Sequence, residues 1–449
     1  MEICTIGGFE EVGKNMTAVK TGEDVFIFDI GLHLPAVIEL QGSENPKQQD
    51  RSEKDLRRVG AIPNDRILDK LGWRDKVRAI IISHAHLDHL GGIPYIAYRY
   101  PQAEIIGTPF TLSVLNSILR DDKIQIKNKI RPANPNSTQI VKGKSSNYKI
   151  DFIHTTHSTI QCTFPALHTK EGVFFYGLDM KFDNYPTLGN PPNYKKMREL
   201  GREGVKVLII DGLYSRTEKK PGGEMVAKHL LEEAFSKARN KNSALFITTF
   251  SSHIERLNNI VEFGRKTNRK IVFLGRSLNK YVNSAIEVKL CPFRKKIMLL
   301  KYRNQINSFL KKVEKDRKRY LIVCTGHQAE ENSILDRISK GKTPFNFKPG
   351  DNLIFSSSVI PTPVNILARE RMDKRLRKQG VKIQVDVHVH GHGSREDLRE
   401  QLDLVKPQHI IPSHGSIELI SPMMELAKEF GYKPGETSHL TSNGKVLRF

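Results

Sequence analysis

The chain has 449 residues, 38% of them hydrophobic and 27% charged, and its formal net charge is +23. This length exceeds one ordinary hydrophobic core, so we expect two domains or one domain interrupted by another. The longest apolar runs are strand-sized and fall far short of the roughly 20 residues of a membrane span, which argues against a membrane-spanning segment. The positive charge favours a polyanionic partner, either nucleic acid or an anionic membrane surface, although some organisms have generally basic proteins. Of the two we expect nucleic acid and no membrane.

The cysteines predict neither a disulfide framework nor a zinc ribbon. They lie far apart, without a C-x-x-C pair, at Cys4, Cys162, Cys291 and Cys324. Such spacing indicates free thiols in a reducing compartment. The N-terminal residues also lack the basic and then apolar segments of a secretory signal. We therefore expect a cytoplasmic location.

The predicted elements alternate between strands and helices along the chain, which is typical of an α/β architecture. The predicted strands cover residues 24–29, 78–82, 206–211, 244–249, 270–274, 320–325, 352–356, 384–389 and 409–412. The predicted helices cover residues 223–239, 254–266, 365–378, 396–405 and 422–430. The polar segment 36–62 predicts a surface insertion. Several strands run into Asp, His or Ser, and α/β folds place their chemistry at strand ends.

Histidines are concentrated in the first half of the chain and again near its end, at 388–392 and 414. The block at 214–380 has only scattered histidines and its own alternation of strands and helices. Its segment 254–276 indicates part of a βα crossover in a parallel sheet. We therefore predict a metal-binding domain, formed by 1–213 and 381–449, that is interrupted by an inserted domain at 214–380.

Four metal-ligand residues follow the isoleucine-rich segment 79–82. His84 and His86 are two residues apart, so they project to one side of an extended segment. Asp88 and His89 come next, in the turn. Imidazole and carboxylate groups suit Zn²⁺, with Mn²⁺ as the alternative where carboxylates are more numerous. A lone histidine is usually structural, but four such residues within six predict a site shared by two ions.

The segment His84-Ala85-His86-Leu87-Asp88-His89 is the signature of the metallo-β-lactamase superfamily, and other segments resemble that superfamily too. The resemblance implies an αββα sandwich of the α/β class. It also implies a residue for each role in the site. One ion is expected to bind His84, His86 and His157, and a second to bind Asp88, His89 and His414, with Asp179 bridging both. Asp29 is expected to orient a ligand histidine or the ligand loop.

The long block before 388–392 narrows the resemblance to the β-CASP group, whose members act on nucleic acids. The extra acidic and histidine motifs of that group match Asp211 and His392. Within the group the chain most resembles ribonuclease J, in its shorter archaeal form. The segments that carry this resemblance are 7–15, 177–183, 250–254, 275–277 and 355–361. One departure is His390, where the family usually has serine.

The resemblance implies a metal-dependent ribonuclease with two Zn²⁺ per subunit, or Mn²⁺ as the alternative. It would degrade single-stranded RNA 5′→3′, prefer a 5′ monophosphate, and serve RNA decay and maturation. Water activated between two metal ions would attack phosphorus in line with the departing 3′ oxygen. Family members associate as dimers or tetramers, and we expect a homodimer.

Further residues receive predicted roles from the same resemblance. Asp88, His392 and Asp211 are the predicted catalytic residues. His392, held by Asp211, would protonate the leaving group or donate to a phosphate oxygen; the alternative for Asp211 is a structural cap at a strand end. The 5′-phosphate and RNA-binding candidates are Ser356, Ser357, Ser358, His388, His390 and Gly391. Ordinary turn hydrogen bonding is the alternative for the three serines.

A basic channel is expected for the RNA backbone. Its candidates are residues 294–296, Lys311, Lys312, Arg369, Arg371, Lys374, Arg375, Arg377 and Lys378. The alternative for such charge runs is a solvated helix face.

Two rival functions use the same residues. One is a β-CASP endoribonuclease that cuts RNA internally. The other is a nucleic-acid-binding protein with an inactive site, which the complete set of ligand residues disfavours. A small-molecule hydrolase of the same superfamily is disfavoured by the inserted block and by the charge of +23.

Overall fold

The structure is a computed structural model that describes residues 1–42, 52–238, 242–360 and 363–449. These described residues form two compact units. The first comprises Met1–Asn184, Pro191–Pro221 and Gly391–Phe449, and the second comprises Tyr185–Asn190 and Gly222–His390. The sequence-based division placed the inserted domain at 214–380. The second unit instead spans 222–390 and also takes the short segment before α7, the helix at Tyr194–Glu203.

The strands, in chain order, are β1 (Glu2–Gly7), β2 (Met16–Thr21), β3 (Asp24–Phe28), β4 (Val77–Ile81), β5 (Glu104–Gly107), β6 (Ile130–Pro132), β7 (Ser137–Lys142), β8 (Asn147–His154), β9 (Thr163–Thr169), β10 (Gly172–Gly177), β11 (Val205–Asp211), β12 (Leu245–Thr248), β13 (Lys270–Leu274), β14 (Ile297–Leu300), β15 (Tyr320–Cys324), β16 (Asn352–Phe355), β17 (Lys382–Gln384), β18 (His409–Ser413) and β19 (Lys445–Arg448).

The α-helices are α1 (Leu34–Gly42), α2 (Glu53–Arg58), α3 (Ile67–Lys70), α4 (Leu87–Leu90), α5 (Ile93–Ile96), α6 (Pro109–Asp121), α7 (Tyr194–Glu203), α8 (Glu224–Lys237), α9 (Ile254–Lys266), α10 (Arg276–Glu287), α11 (Arg303–Lys315), α12 (Ile334–Ser339), α13 (Pro363–Lys378), α14 (Arg395–Val405), α15 (Ile417–Ile420) and α16 (Pro422–Glu429). Short 3₁₀ helices cover Arg74–Lys76, Ala97–Arg99, Arg294–Lys296 and Arg317–Arg319.

The first unit is a sandwich of sheets covered by helices. Across its described residues, one sheet has the order β19-β1-β2-β3-β4-β5-β6 and the other the order β18-β11-β10-β9-β8-β7. Apolar side chains of both sheets, such as Phe28 and Phe174, form one buried core. The outer face of the second sheet packs on α7, α14 and α16, through residues such as Met197 and Leu402. Inner strands such as β3, β4 and β11 bury both faces, and they are therefore nearly continuous apolar runs.

Strand direction in the first unit brings distant parts of the chain to one edge of each sheet. β3, β4 and β5 are parallel, and so are β10, β11 and β18. β8 points the same way as β10, because both are antiparallel to β9. The carboxyl ends of these strands therefore lie on a common edge, and polar residues that follow them are brought together.

The second unit has a parallel sheet with helices on both faces. Its described strands follow the order β14-β13-β15-β12-β16-β17, and each neighbouring pair is parallel. One face packs on α11, α12 and α13, through side chains such as Phe309, Leu335 and Met372. The predicted α/β class is therefore confirmed: a sandwich whose chain is interrupted by a unit with a parallel sheet.

One predicted strand differs from the structure, and one predicted insertion lies partly outside the described residues. The predicted strand at 384–389 is wrong, since β17 ends at Gln384. Asp386 has a φ of 61°, and this left-handed conformation stops an extended strand. The segment 36–62, predicted as a surface insertion, contains parts of α1 and all of α2, and its residues 43–51 lie outside the described residues.

In the part of the chain that the structure describes, no helix combines the length and the apolar character needed to cross a lipid bilayer.

Glu255 on α9 binds the segment Tyr185–Asn190 to the rest of the second unit. Its Oε1 accepts from the hydroxyl of Thr187 at 2.9 Å, from the amide of Leu188 at 3.0 Å and from the amide of Thr187. Burial, together with the nearby carboxylate of Glu224, raises the pKa of Glu255 from 4.5 to about 7. The carboxyl group therefore stabilises the fold most at low pH, and that stabilisation is lost as the pH rises from about 4.5 to 7.

Glu255→Gln is expected to remove this pH dependence, because glutamine keeps the acceptor oxygen and carries no charge. At pH 8.5 the free energy of unfolding of the variant should exceed that of the parent by up to about 3 kcal/mol. The variant should therefore unfold at a higher temperature. At pH 4.5 the two should be alike. Thermal unfolding measured across this range, with Glu262→Gln as the exposed control on the same helix, checks the result. A variant less stable than the parent at pH 8.5 would contradict it.

Candidate metal centre

Residues at the carboxyl ends of strands in the first unit converge on one place. Each of them lies within three residues of the end of a strand, or ends the strand itself. They are Asp29 after β3, His84 after β4, His157 after β8, Asp179 after β10, Asp211 at the end of β11 and His414 after β18. His86 is the N-cap residue of α4, and Asp88 and His89 lie within this short helix, where the sequence predicted a turn.

His84, His86, His157 and Asp179 form the first ligand group, with one ligand atom from each lying within 4.8 Å of the others. Nδ1 of His86 is 3.1 Å from Nε2 of His84 and 3.1 Å from Nε2 of His157. Oδ2 of Asp179 is 3.6 and 3.7 Å from the same Nε2 atoms. Ligands at 2.0–2.1 Å around a tetrahedral Zn²⁺ are about 3.3 Å apart, so this geometry fits a metal ion.

Asp88, His89, Asp179 and His414 form the second group, again within 4.8 Å. Oδ2 of Asp179 is 3.0 Å from Nε2 of His89, and Oδ2 of Asp88 is 3.7 Å from that atom and 3.8 Å from Nε2 of His414. Oδ1 of Asp179 is buried and accepts no hydrogen bond from the described residues. A buried carboxylate oxygen without a donor is what a metal ion would satisfy. Both groups share Asp179.

The outward ring nitrogens of three histidines are occupied, which leaves the inward ones available. Nδ1 of His157 is 2.7 Å from the carbonyl oxygen of Gly391 and donates to it. Nδ1 of His84 donates to the hydroxyl of Ser83, at 3.0 Å, because that hydroxyl itself donates to Oδ2 of Asp29. Nδ1 of His89 donates to the same Oδ2 at 2.7 Å. Such contacts fix the tautomer and orientation of a ligand histidine.

Electrostatics support the same assignment. Burial lowers the pKa of His86 to about 4 and those of His84 and His157 well below the ordinary value, so the three rings are neutral, the form that binds metal. Burial alone would also lower the pKa of His89, but the carboxylates of Asp179, Asp88 and Asp29 raise it well above its usual value. The donor set therefore fits one cation among three neutral imidazoles and a second among carboxylates.

Three residues of the centre have left-handed backbone conformations, which are uncommon for residues other than glycine. The φ angles are 57° at Asp29, 54° at Asp179 and 70° at His414. Each costs on the order of 1–3 kcal/mol and persists where surrounding contacts hold it. Asp29 is held by the amide of Ser83, which donates to Oδ1 at 2.8 Å. Asp29 thus contacts both a ligand histidine and the ligand loop.

Asn15 belongs to the centre, although sequence reasoning gave it no role. It is fully buried, and its Nδ2 donates to the carbonyl oxygen of Asp88 at 3.1 Å. The same atom is 2.9 Å from Nδ1 of His414 and 3.1 Å from Nε2 of His89. Asn15 therefore contacts three members of the second ligand group. The sequence signal was its position in segment 7–15, one of those that carried the family resemblance.

His392 and Asp211 form a pair next to both ligand groups. Nδ1 of His392 is 2.7 Å from Oδ2 of Asp211, and Nε2 is 3.8 Å from Oδ2 of Asp179. Burial would lower the pKa of His392, but the carboxylates of Asp179 and Asp211 raise it to about 9. Oδ1 of Asp211 also accepts from the amide of Leu213 at 2.9 Å. Asp211 thus has both contacts: one oxygen caps the end of its strand, and the other orients His392.

Gly391→Ala is expected to weaken the first ligand group. An added Cβ would lie 2.5 Å from the hydroxyl of Ser158 and 3.1 Å from Cε1 of His157, so the ring that donates to Gly391 must shift. Loss of a contact that orients a ligand typically costs 10- to 100-fold in metal affinity, and cleavage should fall with it. Metal titration checks this, with Gly107→Ala, whose methyl group would have ordinary 3.4 Å contacts, as control. Unchanged metal affinity would contradict the assignment.

The 5′-phosphate candidates of the second unit lie at the carboxyl ends of its strands. Ser356 is fully buried, and its hydroxyl donates to the carbonyl oxygen of Val387 at 2.8 Å. Its hydroxyl proton is therefore engaged within the unit, and its role at a phosphate stays a prediction. Ser357 is buried with no partner for its hydroxyl among the described residues, Ser358 is exposed, and His388 and His390 are half-buried. Gly391 belongs to the first unit, beside His157.

Two of the arginines predicted for an RNA channel also have contacts within the second unit. The guanidinium of Arg369 lies 3.3 Å from the ring centre of Phe355 and donates to the carbonyl oxygen of His327. Arg375 donates to Asp336 at 3.2 Å. The remaining cations of α13 are exposed: Arg371, Lys374, Arg377 and Lys378.

The sandwich with a divalent-metal site at its strand ends, interrupted by a parallel-sheet unit, defines a metallo-hydrolase of the metallo-β-lactamase type. Family models agree. Residues 10–145 match the metallo-beta-lactamase superfamily, residues 242–370 the ribonuclease J beta-CASP domain, and residues 380–435 the Zn-dependent metallo-hydrolase RNA specificity domain.

Relatives identify the family within that class. The chain is 39% identical to ribonuclease J of Pyrococcus abyssi over 448 residues, which cover 100% of this chain and 97% of that one. It is 37% identical to ribonuclease J of Methanocaldococcus jannaschii, with 100% and 99% covered. The chain belongs to the ribonuclease J family, so the resemblance seen in the sequence is confirmed, and the protein is a hydrolytic ribonuclease.

A solved structure supports the fold alone. The crystal structure of a protein of unknown function from Enterococcus faecalis V583 matches with a TM-score of 0.63 and 17% sequence identity, covering 99% of each chain.

Proposed function

We propose that the protein is a 5′→3′ exoribonuclease that degrades single-stranded RNA and prefers a 5′ monophosphate, with a role in RNA decay and maturation. The observation that carries the cleavage step of this proposal is the pair of ligand groups sharing Asp179, with His392 held beside them by Asp211. A phosphodiesterase needs cations for the charged phosphate and a proton donor for the leaving oxygen, and this arrangement offers both.

The proposed cofactors are two Zn²⁺ per subunit, with Mn²⁺ as the alternative. His84, His86 and His157 would hold one ion, Asp88, His89 and His414 the other, and Asp179 would bridge them. Bound there, the ions would supply Lewis acidity toward the phosphate and lower the pKa of water. Asp29, Ser83 and Gly391 keep the ligand rings in place, and Asn15 does so for the second group.

A side chain of this protein supplies the proton that the departing 3′ oxygen needs. His392, oriented through Nδ1 by Asp211, presents Nε2 to the substrate and donates to the departing 3′ oxygen. An oxygen of water would bond to phosphorus as the bond from phosphorus to the 3′ oxygen breaks, which releases a nucleotide with a free 3′ hydroxyl. The shortened RNA keeps a 5′ phosphate, so each turnover regenerates the preferred end.

Recognition of that end is proposed for the second unit. Among the candidates, His388, His390 and Ser357 have polar groups that suit a terminal phosphate. The exposed cations of α13 and the basic segment 294–296 would bind the RNA backbone without sequence preference. A cytoplasmic homodimer with single-stranded RNA as its substrate is the proposed setting.

A test of the direction and end preference uses internally labelled single-stranded RNA with a 5′ monophosphate, triphosphate or hydroxyl. Mononucleotides should appear first, and fastest from the monophosphate substrate. Discrete internal fragments at the same rate from all three substrates would instead identify an endoribonuclease. His86→Ala, which removes one ligand, is the matched inactive control and should still bind the RNA.

A further inference from the structure

Arg256, in the first turn of α9, is the largest side chain that is fully buried among the described residues. Nε and Nη2 donate to the two carboxylate oxygens of Glu224, at 3.0 and 2.9 Å. This bidentate pair satisfies one edge of the guanidinium. A buried ion pair usually adds little to stability over apolar packing. Stability alone therefore does not account for an arginine at this buried position.

The other edge of Arg256 points at the candidate phosphate-binding residues of the same unit. Nη1 donates to the hydroxyl of Ser356 at 3.0 Å and lies 3.3 Å from its carbonyl oxygen. It is also 3.2 Å from Nδ1 of His388. The hydroxyl of Ser356 in turn donates to the carbonyl oxygen of Val387, so Arg256 is connected through Ser356 to the residue before His388. Arg256 therefore fixes the backbone before His388 and the imidazole ring itself.

The chemistry of the pair determines where the ring proton of His388 lies. A guanidinium has only donors and stays protonated in proteins. Nδ1 of His388 must therefore accept, and the ring proton lies on Nε2. A histidine in this tautomer offers an N–H to an anionic oxygen.

We propose that Arg256, anchored by Glu224, is a positioning residue for recognition of the 5′ phosphate: it holds His388 as the Nε2–H tautomer that donates to the terminal phosphate. This inference rests on the proposed function, since it requires that the end of the RNA is recognised. Arg256 does not touch the RNA, and it acts through His388.

Arg256→Lys tests the proposal, because lysine keeps the charge opposite Glu224 but lacks the second edge that reaches Ser356 and His388. The measurement is kcat/KM on RNA with a 5′ monophosphate and on RNA with a 5′ hydroxyl. The ratio of the two should fall about tenfold, as expected for one lost hydrogen bond to a charged group. The change should appear mainly in KM of the monophosphate substrate.

Arg269→Lys is the matched control. Arg269 donates to the backbone oxygens of Ser243 and Tyr320, at the amino ends of the same sheet. The Arg269→Lys variant should unfold at a lower temperature without a change in the ratio of the two kcat/KM values. This result separates a structural effect from positioning. A ratio in Arg256→Lys equal to that of the parent would overturn the inference while the proposed function stands. A parent protein without preference for the monophosphate would overturn both.

A second measurement is made on the parent protein, so it does not depend on whether Arg256→Lys folds. In the parent protein labelled with ¹⁵N-histidine, with His388→Gln identifying the signals, His388 should show a protonated Nε2 and an unprotonated Nδ1. A proton on Nδ1 would overturn the inference.

Discussion

Asp179→Ala is expected to lower RNA cleavage by at least about 10³-fold, because its carboxylate is the one ligand shared by both groups. Without it the first group has three neutral imidazoles and no charge, and the second loses the oxygen that lies 3.0 Å from His89. The metal content should fall as well. Mass spectrometry of bound metal and single-turnover cleavage of labelled RNA give the two readouts.

Asp151→Ala is the matched control for Asp179→Ala. Asp151 is also a buried carboxylate of the first unit, paired with His168 and Lys196. Its loss should destabilise the fold and leave the metal content unchanged. RNA binding at equilibrium should change little in Asp179→Ala, since the basic surfaces are intact. Full metal content with full cleavage in Asp179→Ala would contradict the assignment of the bridging ligand.

The ligands of the centre were visible in the sequence for a local reason. His84, His86, Asp88 and His89 are placed by the end of one strand and by the short helix α4 that follows it, so spacing alone indicates their convergence. His157, Asp179 and His414 needed the family resemblance, because the parallel order of β10, β11 and β18 that brings two of them together cannot be derived from local pattern.

The supporting residues were not visible, because their roles depend on contacts between distant positions. Asn15 and Asp88 are 73 residues apart, and Arg256 and His388 are 132 residues apart. An asparagine in a loop and an arginine on a helix have many ordinary explanations in a sequence. Burial and geometry distinguish them, and both are properties of the folded chain. The hydrogen bond from the hydroxyl of Ser356 to Val387 also joins distant positions, so the sequence did not indicate it.

His392→Ala is expected to lower RNA cleavage by about 10³-fold if His392 donates the proton to the leaving 3′ oxygen. The ribose oxygen is a poor leaving group without that proton. A p-nitrophenolate group needs no such donation, so hydrolysis of bis(p-nitrophenyl) phosphate should fall by less than about tenfold. Asp211→Asn keeps an acceptor for Nδ1 of His392 and should give a smaller loss on RNA.

The comparison between the two substrates separates proton donation from a contribution to metal binding. If His392 served only to hold the ligand groups together, cleavage of both substrates would fall in parallel, and the metal content would fall with them. His409→Ala is the matched control, because His409 lies at the other end of β18 from His414 and pairs with His439 at 3.2 Å. An equal loss on both substrates in His392→Ala would refute the role of proton donor and leave the two ligand groups as the whole of the catalytic centre.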